Sequence, residues 1–225
     1  MLIIWKFNAK TNHMFKTGTH FFLIIIFLFF AACNNKDKKE QKEPSTTFII
    51  KKDTAQPNKN GTPQRPPIVN ISDTFALKYT VLYMKDSAAT SDRISLKLAK
   101  IYGTKIPELI KKQQLKVTGP PIAWYKTTKA PFFFEAGIPI NKKPSKLPKG
   151  IFVKTIGGDK AVIAHFYGPY SITSMGYEAL ADFVKSNNKK RNGLPYEIYV
   201  TEPVGKDGKA IDPYKVQTDI IYPYH

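Results

Sequence analysis

The 225-residue chain has one cysteine, few acids for its bases, and no apolar run long enough to cross a bilayer. A lone Cys33 cannot close an internal disulfide, so a disulfide-stapled scaffold is excluded. The 17 acidic residues against 35 Lys and Arg leave a net charge of +18, which rules out an acidic, solvating chain. The longest apolar stretch, Phe21 to Ala32, has 12 residues. A membrane-spanning helix needs about 20. No metal-ligand spacing, no phosphate-cradling glycine loop and no Ser-His-Asp or Cys-His arrangement can be assembled from the motifs. Gly157-Gly158-Asp159-Lys160 reads as a hairpin turn rather than a phosphate loop.

What is present near the N-terminus has a clear order. Lys6, Lys10 and Lys16 precede the apolar run without an acid, and Ala31-Ala32-Cys33 follows it. The segment resembles a bacterial lipoprotein signal peptide of residues 1–32, with Cys33 as the lipidated residue. Phe30 departs from the commonest lipobox pattern, and Met14 offers a second start. A lipidated cysteine would hold the chain at a membrane through several buried acyl chains, each buried methylene adding about 0.8 kcal/mol. The expected location is therefore the bacterial cell envelope, with the folded part in the periplasm. Residues 34–67 are rich in Asn, Lys, Glu, Gln, Pro, Ser and Thr, and end in Pro63-Gln64-Arg65-Pro66-Pro67. Too little apolar surface is present to offset chain entropy, so residues 33–67 read as lipidated cysteine and disordered linker. One domain is expected over 68–225, the remaining net charge of +11 spread along it. Without a helix-turn-helix, finger or zipper pattern, that charge reads as a solvated basic face rather than a nucleic-acid footprint, and no nucleic-acid partner is expected.

The domain pattern repeats. Leu77–Met84 alternates as a strand. A helix follows from Arg93, capped by Ser91 or Asp92 and interrupted near Gly103 and Pro107. Strands follow at 122–127 and 132–140. The second half offers a strand at 161–166 and a helix over 172–185 with Met175, Leu180, Phe183 and Val184 inward. Its last two strands fall at 196–201 and 216–222. The fold class is thus α+β, with two pseudo-symmetric βαββ units (about 76–140 and 150–224) forming antiparallel sheets around a shared ligand cleft. Gly119-Pro120-Pro121-Ile122-Ala123-Trp124-Tyr125 aligns with Gly193-Leu194-Pro195-Tyr196-Glu197-Ile198-Tyr199 at an offset of 74. Alternation puts Glu197 and Tyr199 on one face and Tyr196 and Ile198 on the other, with Ala123 and Tyr125 matching the first pair. A carboxylate among tyrosines suits an apolar, often cationic, small molecule.

These motifs, together with His165-Phe166-Tyr167-Gly168-Pro169-Tyr170, Glu135-Ala136-Gly137-Ile138-Pro139 and Thr218-Asp219-Ile220-Ile221-Tyr222-Pro223, resemble the GyrI-like effector-binding domain over about residues 76–224. That family is the ligand module of multidrug-sensing transcription regulators and also occurs alone. The resemblance implies that Glu197 faces a lipophilic cation, and some stand-alone relatives imply a hydrolase using the same glutamate. Asp86-Ser87-Ala88-Ala89 departs from the family's Gly-Pro-Tyr turn. The expected ligand-binding set is Glu197, Tyr199, Tyr125, Tyr170, Trp124 and Phe134, with no cofactor. Three readings stay open: an envelope lipoprotein that captures amphipathic or cationic small molecules, a hydrolase with Glu197 as general base, and a structural lipoprotein. Glu197 also reads as an edge carboxylate paired to a surface lysine, and the tyrosines as half-buried sheet residues.

Overall fold

The strands build one antiparallel sheet with an apolar cluster on each face. The computed structural model describes residues 46–48 and 65–225. The signal-peptide segment, Cys33 and most of the expected linker lie outside the described residues. In chain order the strands are β1 (Thr46–Phe48), β2 (Ile68–Phe75) and β3 (Tyr79–Ala88). Helices α1 (Ser91–Lys100) and α2 (Ile106–Lys112) follow, joined by a π-helical turn over Ile101–Lys105. Then come β4 (Ile122–Tyr125), β5 (Phe132–Ile140), β6 (Ile151–Ile156) and β7 (Lys160–Tyr167). Helix α3 (Ser174–Ser186), β8 (Tyr196–Tyr199) and β9 (Gln217–Pro223) complete the domain. The strands form a nine-stranded sheet in the order β1-β2-β7-β9-β8-β4-β5-β3-β6.

That order is the expected duplication seen in space. The block β3-α1/α2-β4-β5 is one βαββ unit and β7-α3-β8-β9 the other. The two meet where β4 pairs with β8, through Ile122↔Ile198 and Ala123↔Glu197. Two strands escape the simple pattern. Strand β2 precedes the first unit but pairs with β7 of the second, and β6 precedes the second but pairs with β3 of the first. Each unit therefore lends its leading strand to the other. Strand β1, inside the stretch expected as linker, pairs with β2 through Thr46↔Ile71 to Phe48↔Val69.

The exchange corrects the reading of Gly157-Gly158. These residues do not close a hairpin; they lead β6 into β7, which lie far apart in the sheet. Where the two lead strands cross, Gly158 N–H donates to Ala76 C=O at 2.8 Å and Ala76 N–H to Asp159 C=O at 3.0 Å. Gly157 has φ +74, and a Cβ there would lie 1.9 Å from the Leu77 carbonyl oxygen. Gly157→Ala should thus destabilise the domain by about 2 kcal/mol, read from urea unfolding. A change under a few tenths would mean the crossing is loose.

One face of the sheet carries the helices. Val69, Ile71, Val162, Ala164, Phe166 and Ile220 pack there against Leu180 and Val184 of α3. Leu180 and Val184 are the inward residues the periodicity predicts, but Gly176 is the third buried position, in place of Met175. The opposite face has its own apolar cluster, which includes Val81, Ile122, Trp124, Tyr196, Ile198 and Ile221. In the first unit, the interruption expected at Gly103 and Pro107 is a widened turn instead of a break. A proline ring clashes with the carbonyl four residues earlier, here Gly103, and a π turn relieves that crowding. The same turn directs Tyr102 inward, where it is buried.

Candidate functional site

The site is built where the pseudo-symmetric strands β4 and β8 meet, on the helix-bearing face. Glu197 stands in β8 with Ala123 opposite it in β4 and Ile220 opposite it in β9. Ile220 packs under α3, which fixes the direction of the Glu197 side chain. Two units that each bury one sheet face under a helix would leave their other faces free to line a shared cleft. Instead, that opposite face is filled by its own apolar cluster, and the carboxylate lies under the helices.

Five tyrosines surround it. Tyr177 of α3 donates its hydroxyl to Glu197 Oε1 at 2.9 Å. Tyr199 lies two residues on in β8, on the same face as Glu197. The hydroxyls of Tyr125 and Tyr199 lie 2.8 Å apart, joining residues 74 apart in sequence. Tyr170, on the turn before α3, meets the Tyr199 ring edge-on at 5.8 Å and is 44% exposed. From the first unit, Tyr102 contacts the Tyr199 ring at 6.2 Å and anchors its own hydroxyl on the Ile122 carbonyl at 3.0 Å. Phe134, fully buried, backs Tyr125 at 6.3 Å.

The electrostatics follow from burial. Glu197 is 6% exposed, and burial pushes its carboxyl above the usual range, against the pull of the Tyr199 and Tyr177 hydroxyls. Burial and the Glu197 charge together raise the phenols in turn: Tyr170 to about 12, and Tyr125, Tyr177 and Tyr199 further. All four therefore stay neutral hydrogen-bond donors across the physiological range. Tyr177→Phe should remove one donor from a buried carboxyl, costing about 1–3 kcal/mol and raising the Glu197 pKa further. Carboxyl carbon NMR titration checks the second part; an unchanged midpoint would contradict it.

Of the six expected ligand-binding residues, Glu197, Tyr125, Tyr170, Tyr199 and Phe134 are brought together. Trp124 is not, because alternation in β4 turns it to the other face. There it stacks near Tyr196 at 5.7 Å and Tyr83 at 6.4 Å, and Lys154 Nζ sits 3.3 Å above its ring. Tyr102 and Tyr177 were missed. Tyr177 could have been found from its spacing of three and seven residues to Leu180 and Val184.

Glu135 supplies a control within the same molecule. It is also 6% exposed and also on a central strand, but on the Trp124 face. Lys126 Nζ meets its Oε1 at 2.6 Å and Lys154 Nζ its Oε2 at 2.8 Å. Burial raises the Glu135 carboxyl, but the hydrogen bonds from Lys126 and Lys154 outweigh it and hold the group below the usual range. Among the described residues, no lysine or arginine forms an ion pair with Glu197.

With this geometry in hand, solved structures give a match for the architecture. The EcmrR C-terminal domain superposes with a TM-score of 0.56 at 19% identity, covering 70% of this chain and 98% of that one. The fold is that of a GyrI-like effector-binding domain. A longer EcmrR chain, solved in a complex with DNA, matches with a TM-score of 0.57 at 19% identity over 70% of this chain. This chain spans 57% of that longer chain. An uncharacterized protein from Listeria innocua is more distant, with a TM-score of 0.49 and 12% identity over 74% of this chain and 96% of its own. No family model and no curated protein matches the sequence.

Proposed function

We propose that this domain captures amphipathic or cationic small molecules, with Glu197 as the counter-charge and Tyr125, Tyr170, Tyr177 and Tyr199 as aromatic walls. The observation that carries the reading is the contrast between two glutamates of equally low solvent exposure. Among the described residues, Glu135 has two ammonium partners, whereas Glu197 has a phenol donor and no cation. A buried carboxylate without a cation is costly, because hydroxyl donors replace only part of its hydration. A lipophilic cation would complete the site, and each desolvated aromatic contact with it is worth about 2 kcal/mol. Tyr170 is the most solvent-exposed of the rings, on a single 3-10 turn. It is the natural gate: its rotation away from Tyr199 opens the way to the carboxylate.

The test is a thermal-shift titration against lipophilic cations, anions and neutral amphiphiles, with Glu197→Gln beside the wild type. A ligand at 100 times its dissociation constant should add about 2.7 kcal/mol. A cation-selective shift that disappears in Glu197→Gln is the expected result; a flat panel would sink the reading. A carboxyl whose pKa is raised by burial is also a stronger base once ionised, which favours the hydrolase as a second reading. Turnover of a bound electrophile, lost in Glu197→Gln, would decide for it.

We also propose that the chain is an envelope lipoprotein anchored through Cys33, on the signal-peptide resemblance and the short apolar run. Membrane fractionation tests this. Wild-type protein is expected in the detergent phase and Cys33→Ser in the aqueous one; equal partitioning would overturn it.

A further inference from the structure

A second constellation lies on the opposite face of the sheet. Ser72 of β2, His165 of β7 and Asp219 of β9 stand on three neighbouring strands. His165 Nδ1 lies 2.8 Å from Asp219 Oδ1, and His165 Nε2 lies 3.1 Å from Ser72 Oγ. With Nδ1–H donating to the carboxylate, Nε2 carries the lone pair and accepts the serine proton. The carboxylate is itself held, since Gln217 Nε2 donates to the same Asp219 oxygen at 2.8 Å and the Tyr167 hydroxyl donates to Gln217 Oε1 at 3.0 Å. Asp219 raises the His165 pKa through its hydrogen bond, against burial. A hydroxyl, an imidazole and an orienting carboxylate in this order are the parts of an activated serine nucleophile.

Strand register places this chain away from the Glu197 site. Val69, Ile71, Val162, Ala164, Phe166 and Ile220 face α3, so the residues between them, Ser72, His165 and Asp219 included, face the other way. Ile163 stands directly opposite Ser72 and packs, with Tyr79, against the apolar cluster of that face. Ser72 and His165 are each half-buried. The nucleophile thus sits beside an apolar floor and keeps access to solvent.

We infer that Ser72, His165 and Asp219 form a nucleophilic site that hydrolyses small esters with an apolar acyl group. Ser72 Oγ attacks the acyl carbon while His165 Nε2 takes the hydroxyl proton. The C–O bond to the leaving alcohol breaks, and the alcohol takes that proton from His165. Water, deprotonated by His165, then attacks the Ser72 ester; the acid leaves and Ser72 regains its proton. The balance is ester plus water to acid plus alcohol, with no other reactant. Asp219 is a positioning residue that fixes the imidazole tautomer.

The experiment is reaction of the protein with an alkyl fluorophosphonate, mapped by peptide mass spectrometry, beside hydrolysis of p-nitrophenyl butyrate. In the labelling step a Ser72 Oγ–P bond forms, fluoride leaves and His165 passes the proton to solvent. The expected result is an adduct on Ser72 and ester turnover, both reduced about 10²-fold or more in His165→Gln and Asp219→Asn. Turnover is lost in Ser72→Ala. No adduct on Ser72 in the wild-type protein would overturn the inference and leave the three residues as a link between strands. So would labelling undiminished in folded His165→Gln.

Discussion

Glu197→Gln should raise the melting temperature of the ligand-free protein at neutral pH and abolish its cation binding. The two effects have one cause. The folded-state pKa of Glu197 is raised above its ordinary value of 4.5 by burial, so the folded protein binds the carboxyl proton more tightly than the unfolded chain does. The stability from that proton is fully present below the unfolded pKa and is lost as pH rises through the folded one. At neutral pH the ligand-free site thus carries a cost that a neutral amide of the same shape removes. A gain of about 1 kcal/mol is expected, or 2–4 °C for a domain of this size. A melting curve at pH 7 checks this, repeated near pH 4, where the two proteins should converge. A mutant less stable than wild type at neutral pH would mean that Glu197 already has a partner.

Removal of Glu135 should have the opposite sign and a larger size. Glu135→Ala leaves Lys126 and Lys154 facing each other, with Lys154 half-buried above Trp124 and Tyr83. Burial lowers the Lys154 pKa, and the Glu135 hydrogen bond and charge are what hold it up. Breaking a buried pair by deleting one partner costs about 3–5 kcal/mol. Because Lys154 retains some exposure, about 3 kcal/mol is expected here. The acid limb adds a second signature. Glu135 has a folded pKa below its unfolded one, so its contribution is present above about pH 4.5 and is lost as pH falls through the folded value. Wild type should therefore lose stability in acid more steeply than Glu135→Ala. Urea midpoints between neutral and acid pH check both parts; parallel curves would show that the network is not coupled to folding.

Particular residues show what was legible in the sequence. The offset of 74 between Tyr125 and Tyr199 was visible in two aligned loops, and the two hydroxyls do meet at 2.8 Å. Strand alternation predicted the shared face of Glu197, Tyr199 and Tyr125, because pleating is a local property. The same rule places Trp124 with Tyr196 and away from Glu197; its aromatic character alone had suggested the site. The exchange of β2 and β6 was not legible. Each pairs with a strand of the other unit, and nothing in a local pattern names so distant a partner. Tyr102 was hidden for another reason: its inward direction depends on the π turn before Pro107, which shifts the helical register. Ser72, His165 and Asp219 lie 93 and 54 residues apart and share no motif, so the exchanged strand β2 is what joins them.

The claim that Glu197 awaits a cation is tested most directly by counting protons on binding. Calorimetry with a quaternary aryl ammonium ion, and with its isosteric neutral hydrocarbon, in two buffers of different ionisation enthalpy gives that count. Below the raised pKa the free carboxyl holds a proton, and a cation can be countered only if that proton leaves. The account predicts release of up to one proton on cation binding, in the pH range between the carboxyl pKa of the complex and the raised pKa of the free site, none for the neutral probe, and none for Glu197→Gln. Cation binding without proton release anywhere in that range, or binding of equal strength to Glu197→Gln, would contradict it.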